Sequence, residues 1–400
     1  MARVRFLKVR LSVMMFTQYF IHGATLPILS LYLTRYLHFS GLQAGTVLSM
    51  SAVAAFISPL IGAFTADRFI GTPRLYGLCH LAAGALMGVL SYQDRFHPFV
   101  LVYLIYMLVF GPTTALSNAI TFHHVPDPER NFGGIRVWGT IGWISVAWIF
   151  GFFWLRSSEG IVAGRLADAL TLSAAASVLL GVYAFTLPAP AAGPGRRNPL
   201  FPVEAFRVMI KKDVLRLSAV SFLVSLVDRY YFFGTAPFLR QIGFPESDIM
   251  PAMSIGQVPE VFALAFLGAA IARLGLKRVL LLGVLMEIGR FASFAAGGPV
   301  WLILTGLSLH GFAYAFFFAT VFIYLDRSCG RDTRSGVHQL FAIINSGVGS
   351  FLGSLVAGKT LDIFTVPGTV SIDYRAFWSV PLFLSMLAFS AVLWFFPKNR

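Results

Sequence analysis

Long runs of apolar residues, broken at intervals by proline, glycine and charged residues, dominate the chain. An α-helix needs about 20 apolar residues to cross the hydrocarbon core of a bilayer, and the runs have that length. The pattern therefore predicts about twelve membrane-spanning helices, with boundaries uncertain by about two to four residues. These helices are expected to begin near Val9, Gln43, Leu75, Pro98, Gly134, Leu166, Val214, Asp248, Val279, Pro299, Val337 and Arg375.

One long polar stretch interrupts the series of apolar runs. Residues 189–213 are rich in proline and basic residues, and they separate two predicted six-helix halves, 1–188 and 214–400. The later part of this stretch, Val203–Lys212, is interpreted either as an amphipathic surface helix or as a plain basic anchor. Two six-helix halves joined by a basic cytoplasmic linker match the major facilitator fold, whose halves are structural repeats.

Composition supports an all-α polytopic membrane protein. Hydrophobic residues make up 57% of the chain, charged residues 12%, and the mean hydropathy is +0.76, whereas a soluble domain carries about 25% charged residues. The only cysteines, Cys79 and Cys329, form no disulfide framework and no metal-binding pattern. The first apolar run is too long for a signal-peptide core, so no cleavable signal peptide is predicted.

The net charge of +14 has a topological explanation. If both termini are cytoplasmic, the cytoplasmic side collects about three times as many Lys and Arg residues as the opposite side, as the positive-inside rule requires. The predicted protein is therefore a multi-pass protein of the bacterial inner membrane with both termini cytoplasmic. Its expected partners are a small solute and the lipid bilayer, without nucleic acid, and a monomer is expected.

The stretch Phe110–Trp143 carries the first candidate site. A predicted polar turn, His123–Gly134, joins two apolar segments, and Arg136, Thr140 and Trp143 follow at i, i+4 and i+7 on one helical face. A charged side chain inside a membrane helix is costly and usually faces a polar cavity or a partner. The guanidinium, hydroxyl and indole suit a flat, hydrogen-bonding solute. Alternatively, Arg136 snorkels to the headgroups and Trp143 only packs.

A family resemblance appears at the same place. PTTALSNAITFHH followed by IRVWGTIGW resembles the signature of the nucleoside:proton symporter family, a branch of the major facilitator superfamily. The resemblance covers nearly the whole chain and is densest at Pro112–Trp143 and His310–Asp326. It implies an importer of nucleosides or close analogues, not an enzyme, that works by alternating access with a proton as coupling ion and without a cofactor. It also implies that Arg136, Thr140 and Trp143 line the nucleoside site.

A glutamate in the predicted eighth helix is a candidate for binding both substrate and proton. Gln257 and Glu260 are separated by one helical turn, with Pro259 between them to kink the helix. An isolated carboxylate in a low-dielectric environment can hold and exchange a proton, which would couple protonation to substrate binding. The Gln-x-x-Glu pattern resembles the family's substrate-binding pair. Alternatively, a partner such as Arg136 neutralises Glu260.

The seventh and ninth predicted helices carry further charges. Ser225 and Asp228 lie one turn apart, and Asp228 either faces the cavity as a ligand of substrate and proton or pairs with a basic group on a neighbouring helix. Arg229 is expected to point elsewhere, because adjacent residues of a helix diverge. Glu287 and Arg290 are interpreted as a structural pair within one helix, since the ninth helix of this fold is peripheral.

Residues of the tenth and first predicted helices complete the predicted site. His310 and Tyr314 are separated by one turn and are predicted to bind substrate. The resemblance places an acid directly after that aromatic residue, where this chain has Ala315. His22, one turn after Gln18, is predicted either to carry protons or to hydrogen-bond a neighbouring helix.

A cytoplasmic gate is predicted from Asp67, Arg68 and Arg74, which resemble the loop motif of the superfamily.

Other functions remain as alternatives to nucleoside import. A sugar or oligosaccharide:proton symporter of the same fold is the principal alternative, and drug efflux is less supported. A membrane-embedded enzyme lacks support, because the sequence has no clustered metal ligands, no Gly-x-Ser-x-Gly and no phosphate loop. A receptor without transport gains no support from the design in two halves.

Overall fold

The computed structural model describes residues 2–66, 71–125, 128–156, 162–188, 203–330 and 333–395. Contacts between residues divide the chain into two units. The first unit comprises Met1–Arg197 together with Ile242–Pro251, and the second comprises Asn198–Gln241 together with Ala252–Arg400. Much of the predicted linker 189–213 lies outside the described residues, so the predicted boundaries of the two halves stay a prediction.

The first unit is helical throughout its described residues, apart from short connections. Its α-helices are α1 (Ala2–Thr25), α2 (Leu29–Leu31), α3 (Gly41–Ala66), α4 (Thr72–Leu90), α5 (Phe96–His124), α6 (Pro128–Trp148) and α7 (Asp168–Ala184), with π-helical turns at Tyr32–Tyr36 and Ile149–Leu155 and a 3₁₀ turn at Val162–Ala167. Helix α1 packs along α6, α4 packs along α7, and α5 packs against α3 and α4.

The second unit is built in the same way. Its helices are α8 (Val203–Met209), α9 (Lys212–Gln241), α11 (Gln257–Leu274), α12 (Leu276–Ala296), α13 (Val300–Ala313), α14 (Thr320–Ser328), α15 (Arg334–Ala342), α16 (Ser350–Ile363) and α17 (Tyr374–Phe395), while α10 (Glu246–Ser254) crosses the boundary between the units. Helix α12 packs against α13 and α17, α9 packs against α16 and α17, and α11 packs against α13.

The helices present apolar side chains outward as well as inward. Eight helical segments of the described chain are long and apolar enough to cross a membrane, and in each at most half of the central residues are buried. On α11, Phe262 and Phe266 are 59% and 66% exposed and lie one turn apart. Apolar residues on an outer helix face are what lipid contact requires. The predicted total of twelve spans stays a prediction.

The predicted polar turn at His123–Gly134 is wrong in extent. Helix α5 continues to His124, and α6 already begins at Pro128. A proline is well tolerated at the first position of a helix, where its missing N–H would lack a partner anyway. Helix α1 likewise begins at Ala2, ahead of the predicted Val9. The helices therefore extend beyond their apolar runs into polar sequence.

Two glycines allow the close helix contacts that position the candidate residues. A Cβ atom at Gly142 of α6 would lie 2.1 Å from the carbonyl oxygen of Phe16 on α1. A Cβ atom at Gly311 of α13 would lie 2.1 Å from the carbonyl oxygen of Gly256 and 2.5 Å from the backbone nitrogen of Glu260. Small residues at such crossings bring helix backbones together in membrane proteins. Side chains next to these glycines are consequently held against the neighbouring helix.

Candidate functional site

In the first unit, the predicted face of α6 is present and packs against α1. Arg136, Thr140 and Trp143 lie on one continuous helix and are each half-buried. The guanidinium carbon of Arg136 lies 3.9 Å from the ring centre of Tyr19. Within the described part of the chain, no carboxylate pairs with Arg136. The contact with the Tyr19 ring, rather than an ion pair, therefore holds this guanidinium.

His22 belongs to the same aromatic surface. Its imidazole meets the Trp143 ring edge-on at a centroid distance of 5.5 Å and the Phe110 ring at 5.7 Å. Tyr19 lies three residues before His22, so both side chains leave α1 towards the same side. Tyr19 was not among the predicted residues; its spacing indicates the shared face with His22 but not the contact with Arg136. The role of His22 in proton coupling stays a prediction.

Gln18 takes part in a separate, buried hydrogen-bond network. Its side chain is 1% exposed. Its amide nitrogen donates to the Thr113 hydroxyl at 2.9 Å, and its amide oxygen accepts from the Tyr76 hydroxyl at 2.7 Å. The same oxygen lies 2.8 Å from His80 Nε2, and His80 Nδ1 lies 3.0 Å from the Ser177 hydroxyl. This neutral network ties α1, α4, α5 and α7 together.

In the second unit, a cavity of about 240 Å³ collects part of the predicted site. Its walls include the π-helical turns Tyr314–Ala319 and Ile343–Gly349, and such turns occur frequently at functional sites. Ser225, Asp228 and Tyr314 were predicted and do lie there. The complete lining consists of Ser225, Asp228, Arg229, Tyr314, Phe318, Phe322, Phe341, Ala342, Asn345, Ser346 and Ser350.

Asp228 and Arg229 form an ion pair in this cavity, which corrects the expectation that they point apart. Arg229 Nη2 donates to Asp228 Oδ2 at 2.9 Å. Adjacent Cβ atoms do diverge, but the long arginine side chain folds back across its own helix, with its guanidinium 5.2 Å from the Phe232 ring centre. Nearby, the Ser225 hydroxyl donates to Asn345 Oδ1 at 3.2 Å. The cavity thus contains a carboxylate, a guanidinium, a hydroxyl and an amide.

His310 lies next to Asp228 and is buried. Its ring stacks on Tyr231 at a centroid distance of 4.1 Å, and its Nδ1 lies 4.0 Å from Asp228 Oδ1. Arg290 donates to the same Nδ1 and also pairs with Glu287. The predicted pair of Glu287 and Arg290 is therefore present, and it extends to His310 on the next helix. Sequence reasoning missed this extension because it treated α12 as peripheral.

Gln257 and Glu260 occupy the first turn of α11 and are half-buried. The helical span Glu246–Leu274 is interrupted only at Ile255 and Gly256. These residues lie four and three positions before Pro259, whose missing N–H removes the helical hydrogen bond to the Ile255 carbonyl. Neither Gln257 nor Glu260 lines the 240 Å³ cavity. Their predicted contributions to substrate and proton binding stay predictions.

The remaining predicted residues are less informative. Asp67 and Arg68 lie outside the described residues, and Arg74 is exposed near the start of α4, so the gate stays a prediction. Ala315, where the resemblance places an acid, is fully buried. Among the residues that the structure describes, no group of His, Cys, Asp and Glu could hold a metal ion.

Comparison with known proteins places the chain in a family. A model of the family described as Nucleoside H+ symporter matches residues 6–400. The chain belongs to this family. Xanthosine permease of Escherichia coli (strain K12) is 32% identical over 413 residues, covering 97% of this chain and 94% of the permease. Nucleoside permease NupG of the same organism is 26% identical over 394 residues, covering 94% and 92%.

The fold is shared with a solved transporter. The crystal structure of nucleoside transporter NupG superposes with a TM-score of 0.88 at 24% identity and covers 98% of this chain and 100% of that chain. The predictions of an all-α polytopic membrane protein with the major facilitator fold, and of a transporter rather than an enzyme, are confirmed. A member of this family couples the movement of nucleosides to protons, as its family description states.

Proposed function

We propose that this protein imports nucleosides or close analogues together with protons across the bacterial inner membrane, by alternating access. The match to the Nucleoside H+ symporter family along residues 6–400 carries the proposal. The protein acts as a monomer with both termini in the cytoplasm, without a cofactor and without nucleic acid as a partner. The asymmetric distribution of Lys and Arg supports this orientation.

The α6 face of the first unit has the chemistry that a nucleoside needs. The planar guanidinium of Arg136 can donate two parallel hydrogen bonds to carbonyl or hydroxyl oxygens. The Tyr19 ring, whose centre lies 3.9 Å from the guanidinium carbon, restricts where this group can lie. The half-buried indole of Trp143 offers an aromatic surface for a base, and the hydroxyl of Thr140 lies on the same face. We assign these three residues to substrate binding.

The second unit supplies the complementary polar groups. Ser225 and Asp228 line its cavity with Tyr314, whose ring is 43% exposed. The cavity, of about 240 Å³, offers these groups to a hydrogen-bonding solute. Gln257 and Glu260 hydrogen-bond the hydroxyl groups of the solute, and Glu260 exchanges the proton.

Uptake by proteoliposomes tests the proposal. Uridine, adenosine and xanthosine are each offered with and without an inward proton gradient, and disaccharides serve as competitors. Uptake above the external concentration is expected only with the gradient. Arg136→Lys should raise the half-saturating concentration about tenfold or more, because hydrogen bonds to charged groups contribute about 1.5–3 kcal/mol. Arg35→Lys, at an exposed arginine of the same unit, is the matched control and should behave as wild type.

The possible results separate the substrate from the proton site. A folded protein that neither takes up nor exchanges nucleosides overturns the substrate assignment, and inhibition by disaccharides would instead indicate the sugar symporter. Glu260→Gln is expected to abolish accumulation against a gradient. Accumulation that survives in this variant would remove Glu260 from proton coupling while leaving nucleoside transport intact.

A further inference from the structure

A buried cluster of ionisable side chains is formed by three helices of the second unit. Glu287 and Arg290 come from α12, His310 from α13 and Asp228 from α9, and each of the four is at most 7% exposed. Buried charges are costly unless they are paired and hydrogen-bonded. Ionisable groups inside membrane segments are correspondingly rare and usually functional. Helix packing alone therefore does not explain why these four ionisable side chains are buried together.

The hydrogen bonds fix the position of the protons on His310. Arg290 has only donors and donates to His310 Nδ1, so this nitrogen carries a lone pair and the neutral ring holds its proton on Nε2. The same Nδ1 also lies 4.0 Å from Asp228 Oδ1, an acceptor. A single ring nitrogen thus lies next to a group that requires it unprotonated and a group that would bind it protonated.

We propose that His310 is a proton-binding switch whose Nδ1 accepts a hydrogen bond from Arg290 when unprotonated and donates one to Asp228 when protonated. One proton from the aqueous phase binds to Nδ1, and the same proton later leaves from it. The contact with Arg290 is lost in the protonated state, because two positively charged donors face each other. The role in transport rests on the proposed function, whereas the switch itself is a property of the ligand-free protein.

Charges of both signs surround His310. Two carboxylates and two guanidiniums surround the ring, so their formal charges cancel while His310 is neutral. The facing groups are Asp228, Arg229 and Tyr231 from α9, Glu287 and Arg290 from α12, and, from α11, the backbone of Glu260 packed on Gly311. A proton on His310 adds one positive charge, which Arg290 repels and Asp228 attracts.

The switch acts on the cavity through Asp228. In the unprotonated state the Asp228 carboxylate pairs with Arg229, and both side chains line the cavity. A protonated His310 competes for this carboxylate and weakens its hold on Arg229. The guanidinium of Arg229 can then donate to acceptor atoms of a solute. Proton binding thereby changes the affinity of the cavity, and by linkage solute binding changes the affinity for the proton.

Nuclear magnetic resonance of ¹⁵N-histidine in the purified, ligand-free protein tests the switch directly. The signal of His310 is assigned by its disappearance in His310→Gln, or in His310→Tyr if the first variant does not fold. Asp228→Asn should lower the midpoint of the His310 titration, because the attracting charge is lost. Arg290→Gln should raise it, because the repelling charge is lost. Each shift should be about one pH unit or more.

A second carboxylate–histidine pair of the same unit supplies the matched control. Asp326 Oδ1 lies 2.7 Å from His338 Nε2. Asp326→Asn should change the ¹⁵N signal of His338, because it alters the group that contacts the ring, and should leave the titration of His310 in place. A His310 signal that does not titrate, or whose midpoint responds to neither Asp228→Asn nor Arg290→Gln, overturns the proposal.

Transport separates the failure of the switch from that of the proposed function. His310 does not line the 240 Å³ cavity, so in proteoliposomes His310→Gln should still exchange labelled uridine across the membrane. The inside-to-outside ratio driven by a proton gradient should fall to about one. His97→Gln, at an exposed histidine, should accumulate like wild type. Accumulation by His310→Gln at the wild-type ratio overturns the role in coupling. A wild type that moves no nucleoside overturns the proposed function, while the titration shifts still decide on the switch.

Discussion

The two units bury their polar side chains in different ways. In the described part of α1 to α7, the buried polar residues are serines and threonines together with Gln18 and His80. No Asp, Glu, Lys or Arg is among them. In the second unit, Asp228, Glu287 and Arg290 are buried beside His310. Helices α1 to α7 therefore satisfy their polar core with hydrogen bonds between uncharged groups, and Glu246, a buried carboxylate of the same unit, accepts a hydrogen bond from the Tyr36 hydroxyl. The second unit instead pairs buried charges of opposite sign.

This difference assigns different tasks to the two units. A network of hydrogen bonds between uncharged groups specifies how the helices pack. A cluster of balanced charges costs desolvation energy, and the addition of one proton disturbs it. A protein that couples solute movement to protons needs the second kind of core in at least one place. The proposed switch at His310 lies in the unit with the buried charges.

The largest expected effect follows from breaking the charge balance. Arg290→Met leaves Glu287 as a buried, unpaired carboxylate and should lower the free energy of unfolding by about 3–5 kcal/mol. The double variant Glu287→Met with Arg290→Met should recover most of this loss, because well-packed apolar groups can replace a buried ion pair at little cost. Thermal unfolding in detergent measures both, with the midpoint of the double variant expected near wild type.

An exposed pair with the same spacing provides the control for this experiment. Glu204 and Arg207 are also three residues apart, and their side chains are 66% and 69% exposed. Arg207→Met should change the free energy of unfolding by about 1 kcal/mol or less, since exposed ion pairs contribute little. If the double variant of the buried pair proved as unstable as Arg290→Met, charge compensation would not explain the cluster.

The sequence was informative about periodicity and composition and uninformative about contacts between helices. The apolar runs located most helix starts to within a few residues, because the requirement to cross a bilayer dictates their length and polarity. The shared face of Arg136, Thr140 and Trp143 followed from helical geometry alone. The polar turn at His123–Gly134 was overestimated, because polar residues outside the hydrocarbon core continue a helix as readily as they form a loop.

Contacts that depend on tertiary packing could not be predicted. Arg290 and His310 are 20 residues apart on adjacent helices, and nothing in their local sequence shows that α12 and α13 bring them together. Tyr19 was overlooked because its meeting with Arg136 depends on Gly139, where a Cβ atom would lie 2.6 Å from the tyrosine ring. Asp228 and Arg229 show that side-chain length can outweigh backbone direction.

A smaller loss is expected from the neutral network of the first unit. Gln18→Leu removes the acceptor of the Tyr76 hydroxyl and a hydrogen-bond partner of His80 and Thr113. Buried polar groups left without partners should lower the free energy of unfolding by about 1–3 kcal/mol. The pH dependence of uptake should nevertheless keep the wild-type shape, in contrast to His310→Gln. Calorimetry in detergent and uptake at several pH values measure the two quantities.

The neighbouring Thr17 serves as the control for this variant. Its hydroxyl donates to the Val13 carbonyl within its own helix, so Thr17→Ala should leave both stability and pH dependence nearly unchanged. A pH profile displaced by Gln18→Leu as far as by His310→Gln would contradict the division of tasks, since the neutral core would then sense protons as well.

The smallest expected effect concerns the contact between Tyr19 and Arg136. Tyr19→Leu removes the ring on which the guanidinium rests, and a cation–π contact at a partly exposed site contributes about 0.5–1 kcal/mol. The half-saturating nucleoside concentration should therefore rise about two- to fivefold, without a change in the pH dependence of uptake. Tyr19→Phe keeps the ring and should retain wild-type affinity. If Tyr19→Phe lost as much affinity as Tyr19→Leu, the tyrosine hydroxyl rather than the ring would be responsible, and the first unit would contribute a hydrogen-bonding group instead of a preoriented guanidinium.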